Sequence, residues 1–213
     1  MKPQPLIGIT YIEGFPSHPI DAFEAEMLAG GLRVQKKMEP VPGPYALLEW
    51  LIPTGIVIYI SKSYFDGMLK EMGKEHYHLL KGGIKKLARS YIGPLATKVK
   101  LRFTKGKSDS TTSKYSMDYS IVSNIDTGIR VKLLLQPNLS ETQCDAAIDA
   151  FLGFLLSYHE GTLEGDLLAS LQGGRPVGGI LLVSFNQESS VLEVVDPIPK
   201  HVRERTQQPS DNG

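Results

Sequence analysis

The sequence predicts a mixed α+β protein, on two observations. In its first third, apolar β-branched runs alternate with amphipathic helical stretches, the grammar of strands joined by crossover helices. After Pro94 the apolar pattern changes to period two, the mark of half-buried antiparallel strands. The expected architecture is a βαβαβ-like N-terminal part, then a long basic amphipathic helix, then an antiparallel sheet with two packed helices.

Leu6–Ile12 is apolar and rich in Ile, and reads as a strand. Ile20, Phe23, Met27 and Leu28 fall on one helical stripe, and Gly30-Gly31 stop that helix. Leu32–Met38 reads as a second strand, followed by a loop stiffened by Pro40, Pro42 and Pro44. Tyr45–Leu51 suits a short helix ending before Pro53. Ile56–Ile60 is apolar throughout, as in a strand covered on both faces.

A long helix is expected from about Ser61 to Lys81. Phe65, Met68, Leu69, Met72, Leu79 and Leu80 share its apolar arc. Gly82-Gly83 are expected to break it, with a second piece from Ile84 to Tyr91. Val99–Phe103, Tyr115–Ile121 and Ile129–Leu135 alternate apolar and polar residues, most simply an antiparallel meander. Ser140-Glu141-Thr142-Gln143 is a capping-box pattern that opens a helix ended by Gly161. A shorter helix is expected from Thr162, then a hairpin of Ile180–Phe185 and Val191–Val195. The change of grammar near residue 95 divides the chain into an α/β-like part (1–95), a sheet-and-helix part (96–198) and a polar, disordered tail (199–213). The two parts are also compatible with one domain.

Composition excludes several classes. The 213 residues carry 23 basic and 23 acidic groups, one Cys and 41% hydrophobic residues. This is neither a disulfide scaffold nor a disordered chain. A lone Cys and no signal-like N-terminus suggest a reducing, cytoplasmic setting. The longest apolar run, Tyr45–Ile60, is interrupted by Glu49, Pro53 and Gly55 and reads as helix plus strand rather than a membrane span.

Zero net charge hides a partition. Residues 1–60 carry net −2, residues 61–107 net +9 and residues 108–213 net −7. Lys70, Lys74, Lys81, Lys85, Lys86 and Arg89 lie on the basic helices, and Lys98, Lys100 and Arg102 follow on one strand face. An open patch of this kind attracts an acidic protein partner or an anionic surface. The acidic second half offers the other outcome, neutralisation within the fold or across a homo-oligomer. Nucleic acid is disfavoured, because the basic strand face lacks aromatics for base stacking and the pI is about 7.0.

Chemical motifs are few. Gly106-Lys107-Ser108 lacks the earlier Gly of a phosphate-binding loop, since position 101 is Leu. No dinucleotide fingerprint, nucleophile elbow or zinc-protease motif occurs. Glu75 and His78 have the spacing of a di-iron helix, but a second such helix is missing, so neither metal nor cofactor is expected. Cys144 and His159 sit about 22 Å apart on one helix, too far to pair, and His159 lies in the last turn where a cation is favoured. Gly173-Gly174-Arg175-Pro176-Val177-Gly178-Gly179 could let the backbone approach a ligand with Arg175 as anion contact, but reads first as a helix-to-strand turn. The strand Ile56–Ile60, then Ser61, then a helix bearing Glu71 resembles the middle of TIR-type α/β domains. That resemblance implies nucleotide-glycosidic cleavage with Glu71 as the functional carboxylate. Met68-Leu69 stand where that family carries Trp-Cys.

Three functional readings follow. The first is a non-catalytic interaction or regulatory protein docking an acidic partner or surface through the basic helix. The second is an enzyme acting on a nucleotide or phosphorylated metabolite, with Glu71 as acid–base or electrostatic residue and Ser61 at a strand end. The third is peripheral membrane contact through residues 45–92.

Overall fold

Seven strands form one mixed sheet: β1 (Ile7–Ile12), β2 (Val34–Glu39), β3 (Ile56–Ile60), β4 (Tyr119–Asp126), β5 (Ile129–Leu134), β6 (Ile180–Asn186) and β7 (Val191–Val195). Their order is β2-β1-β3-β4-β5-β6-β7. The structure, a computed structural model, describes residues 7–40, 55–67, 73–94, 96, 114–126, 128–165, 169, 171, 173, 174 and 176–196. The expected helix at Tyr45–Leu51, strand at Val99–Phe103 and tail at 199–213 lie outside the described residues, as do Lys70, Glu71, Lys98, Lys100 and Arg102.

The mixed α+β class is as read from the sequence. The strand directions agree only in part, in the parallel β1–β2 pair, the antiparallel β4–β5 pair and the β6–β7 hairpin. β1 runs parallel to β2 but antiparallel to β3. β3–β4 and β5–β6 are parallel, while β4–β5 and β6–β7 are antiparallel. The two patterns read along the chain therefore belong to one continuous sheet. Period-two alternation reports which face a side chain takes, not the direction of the neighbouring strand.

One row of side chains crosses the sheet in register: Ile9, Ile58, Ile121, Leu133, Val183 and Val194. This face is covered by α1 (His18–Ala29), α3 (Gly73–Arg89) and α4 (Glu141–Glu160), with α2 (Lys62–Gly67) packed between α4 and β4. Ile20, Phe23 and Met27 of α1 are buried as the helical stripe requires, but Leu28 is 53% exposed at its margin. From α4, Ala147, Ile148, Phe151, Leu152 and Leu155 enter the same core. On the other face Tyr115, Leu134 and Leu182 form a smaller cluster. Lys132, on that face, is only 2% exposed, so β5 is buried on both sides rather than half-exposed as its sequence suggests.

The basic helix is divided differently from expectation. α2 ends at Gly67, and α3 runs unbroken through Gly82-Gly83. Glycine in a helix interior costs about 1 kcal/mol relative to alanine. Packing overrides that cost, because a Cβ on Gly83 would sit 2.5 Å from Met27 Cε and 3.0 Å from Phe23 Cε2. α4 begins as its sequence predicts. The Gln143 amide donates to Ser140 Oγ at 3.2 Å, and the Ser140 amide donates to Gln143 Oε1 at 2.9 Å. It ends at Gly161, whose φ of 71° is left-handed. The chain then folds back, with the Thr162 amide donating to the Ser157 carbonyl, so residues 162–165 do not start the expected helix. Among the described residues, no helix is long and apolar enough to cross a membrane.

Candidate functional site

Two polar regions flank α4, one at each end, and each holds a buried side-chain atom without a hydrogen-bond partner among the described residues, Asp145 Oδ1 in the first and His159 Nε2 in the second. The first contains the cations singled out in the sequence. Lys81, Lys85 and Arg89 are spaced by four on α3, and Glu141, Asp145 and Asp149 are spaced by four on α4. Residues four apart share one helix face. The two helices run antiparallel, so the rows meet in opposite order. Lys81 Nζ lies 3.3 Å from Asp149 Oδ1, and Lys85 Nζ lies 2.7 Å from Asp149 Oδ2 and 3.9 Å from Asp145 Oδ2. Arg89 reaches Asp145 at 2.7 Å and also pairs with Glu141. The hydrogen bond it donates to Asp145 holds the Arg89 guanidinium above its ordinary pKa. On the other flank Lys86 meets Glu26 of α1 at 3.1 Å.

Four of the six cations expected to form a docking surface are thus seated against carboxylates within the fold. The net positive charge of residues 61–107 does not stand open on α3. Its counter-charges lie 56 to 64 residues away in sequence where hydrogen bonds join the two helices, a separation that no local pattern reports. Lys74 is exposed on the first turns of α3, and Lys70 lies outside the described residues.

The second region lies where β3 and β4 end. These strands are parallel, so their carboxyl ends open on one side of the sheet, where ligands of open α/β sheets bind. Ser61 follows β3 directly and is 7% exposed. Its Oγ lies 3.2 Å from Ser63 Oγ. Ser123 Oγ donates to the Ile60 carbonyl at 2.9 Å, tying the two strand ends together. Phe65 of α2 is fully buried and stacks on the His159 ring, centroids 4.6 Å apart and planes 16° apart. Tyr64 meets Phe65 edge-on, and its hydroxyl donates to the His76 carbonyl at 3.3 Å. Lys62 and Asp66 form an exposed pair at 3.4 Å beside this stack.

His159 is the informative group. Its Nε2 is buried and has no hydrogen-bond partner among the described residues. Burial lowers its pKa. Asp66 and a backbone hydrogen bond to Asn124 oppose that shift, and Lys62 adds to it. The sequence places His159 in the last turn of α4, where the dipole favours a cation. In the fold, burial against Phe65 outweighs the dipole and the ring is held neutral.

The remaining polar candidates resolve simply. Cys144 is buried, and burial pushes its thiol up to about 11, which leaves it unreactive. Glu75 and His78 are exposed on α3, and the described residues contain no cluster of three metal-ligating side chains. In the glycine-rich turn before β6, Gly179 closes over the Gly128 carbonyl, where a Cβ would stand 2.8 Å away. The close backbone approach there is internal. Arg175 lies outside the described residues.

No protein-family model, curated protein or solved structure matches this chain. The corner at β3 and β4 was half legible in the sequence. Ser61 is marked by its place after an apolar strand. His159, 98 positions later, gave no comparable signal, because only the packing of α4 on α2 sets its ring against Phe65.

Proposed function

We propose that the protein binds a nucleotide or phosphorylated metabolite at the carboxyl ends of β3 and β4. What supports this reading above all is the buried His159 Nε2 left without a partner beside Phe65 of α2, the helix that follows Ser61. An unsatisfied buried polar atom costs about 1–3 kcal/mol and is relieved when a ligand or water supplies the missing hydrogen bond. Ser61 and Ser63 offer hydroxyls, and Lys62 offers the neighbouring positive charge. In the enzymatic form of this reading Glu71 is the acid–base residue and the setting is a reducing cytoplasm.

The test is calorimetric titration of the full chain with nucleoside 5′-phosphates and with NAD, with products followed in parallel. Ser61→Val is expected to weaken binding at least tenfold while thermal unfolding stays cooperative. Undiminished affinity in that variant removes Ser61 from the site. Full turnover in Glu71→Gln removes the assigned acid–base role.

Docking of an acidic partner through Lys70, Lys74, Lys81, Lys85, Lys86 and Arg89 ranks lower. Such a partner would have to displace Asp145 and Asp149 from Lys81, Lys85 and Arg89. Peripheral membrane contact meets the same obstacle on α3, and liposome flotation at low salt tests it.

A further inference from the structure

We infer that the chain associates head to tail with further copies of itself, the β7 edge of one sheet pairing antiparallel with the β2 edge of the next. This goes beyond the ligand site proposed above and does not depend on it. Among the described residues, β2 and β7 are the outer strands of the sheet. Two of the three exposed large hydrophobic side chains described lie on them, Met38 on β2 and Val191 on β7. The edge of β2 also offers backbone groups. The Ile7 amide donates to the Arg33 carbonyl and the Glu13 amide to the Glu39 carbonyl, so the odd-numbered residues of β2 turn their backbone toward β1. In a parallel pair the alternate residues, Val34, Lys36 and Met38, then direct theirs outward, where a further strand can pair.

The two edges fit each other better than either fits its own kind. Across the sheet β1, β2, β5 and β6 run one way, and β3, β4 and β7 the other. A second copy set beside the first, with its helices on the same face, therefore brings β7 antiparallel to β2. β7 reads Val191-Leu192-Glu193-Val194-Val195, apolar except for one exposed carboxylate, which accepts from Asn186 of β6. β2 carries Lys36 and Lys37. Lys36 is held by Asp21 and Glu24 of α1, whereas Lys37 is 70% exposed and pairs with Glu39 of its own strand. The register that sets Glu193 opposite Lys37, on the face away from the helices, sets Leu192 opposite the exposed Met38 on the helix side. Opposite charges directly across a strand pair stabilise it, and like charges destabilise it. Two β7 strands in full overlap would set Glu193 against Glu193, and two β2 strands lysine against lysine. A contact between two different edges is not used up in a dimer, so growth continues past two copies.

The test is sedimentation of the full chain at low salt over concentrations up to its solubility limit. The weight-average mass is expected to rise past that of a dimer. Lys37→Glu and Glu193→Lys, both at exposed positions, are each expected to weaken association at least tenfold while thermal unfolding stays cooperative. Both changes in one chain rebuild the pair with its signs reversed and are expected to restore association. A monomer at every concentration overturns the inference. A mass that stops at the dimer, or association that survives Lys37→Glu, also overturns it, because either result means that like edges pair. A double variant as weak as the single ones removes the Glu193–Lys37 register and overturns it as well.

Discussion

The two flanks of α3 are built on opposite principles. Toward α1 the contact is apolar and close. Gly83 meets Met27 and Phe23, and Leu79 covers Gly30, where a Cβ would fall 1.9 Å from Leu79 Cδ2. Toward α4 the buried side chains Leu80, Ile84, Leu87 and Ala88 fill the interior, and a ladder of charge closes over them. The first seam depends on the absence of a side chain, the second on long side chains whose stems cover apolar surface while their ends pair. The contrast teaches that a basic amphipathic helix is not by itself a docking surface. Its cations are spaced to match carboxylates of the same chain.

The largest effect that would break this comparison is expected at Gly83. Gly83→Leu forces α1 and α3 apart and should cost about 1–3 kcal/mol, read as a lower urea midpoint with an unchanged slope. Next is Asp145→Ala, which removes the carboxylate shared by Lys85 and Arg89, Lys85 being only 17% exposed. A loss of about 1–2 kcal/mol is expected, between the values of exposed and buried pairs. That loss should shrink in 1 M salt, whereas the Gly83 effect should not. The exchange of Lys85 and Asp149 in one double variant should recover much of what either single change loses.

Gly82→Ala sharpens the comparison with the opposite sign. Nothing lies within 4 Å of a Cβ placed there, one residue from the crowded Gly83. A gain of about 0.5–1 kcal/mol is expected from helix propensity alone, seen as a higher melting temperature. The smallest effect is expected at His159. Its pKa is lowered in the fold, so as pH falls the unfolded chain takes up this proton first. Stability should therefore decline as pH drops below about 6.5, and His159→Phe should flatten the acid side of the stability profile. An identical acid limb in that variant would mean the ring titrates alike in both states.

Elements with local causes were legible in advance. The capping box at Ser140–Gln143, the stop at Gly161 and the turn at Asn186–Ser190 each depend on residues within a few positions. In that turn Asn186 Oδ1 accepts from the Glu188 and Ser189 amides. The β-branched run of β3 likewise declares a strand buried in a sheet. Gly82-Gly83 misled because their local preference is for a break, while the contact that overrules it belongs to α1. Ser61 could be singled out from its place after β3, but the stacking of His159 on Phe65 could not.

By itself the sequence determined the class of the fold, most of its strands and helices, and the segregation of charge into a basic centre and an acidic second half. Tertiary structure alone decided that β3 runs antiparallel to β1, that the basic and acidic rows interlock across α3 and α4, and that a half-buried histidine at the end of α4 stacks on Phe65 of α2. The physical reason is range. Propensity, capping and periodicity act over one or two turns of chain, whereas strand direction, ion pairing and desolvation depend on which distant segments are brought into contact.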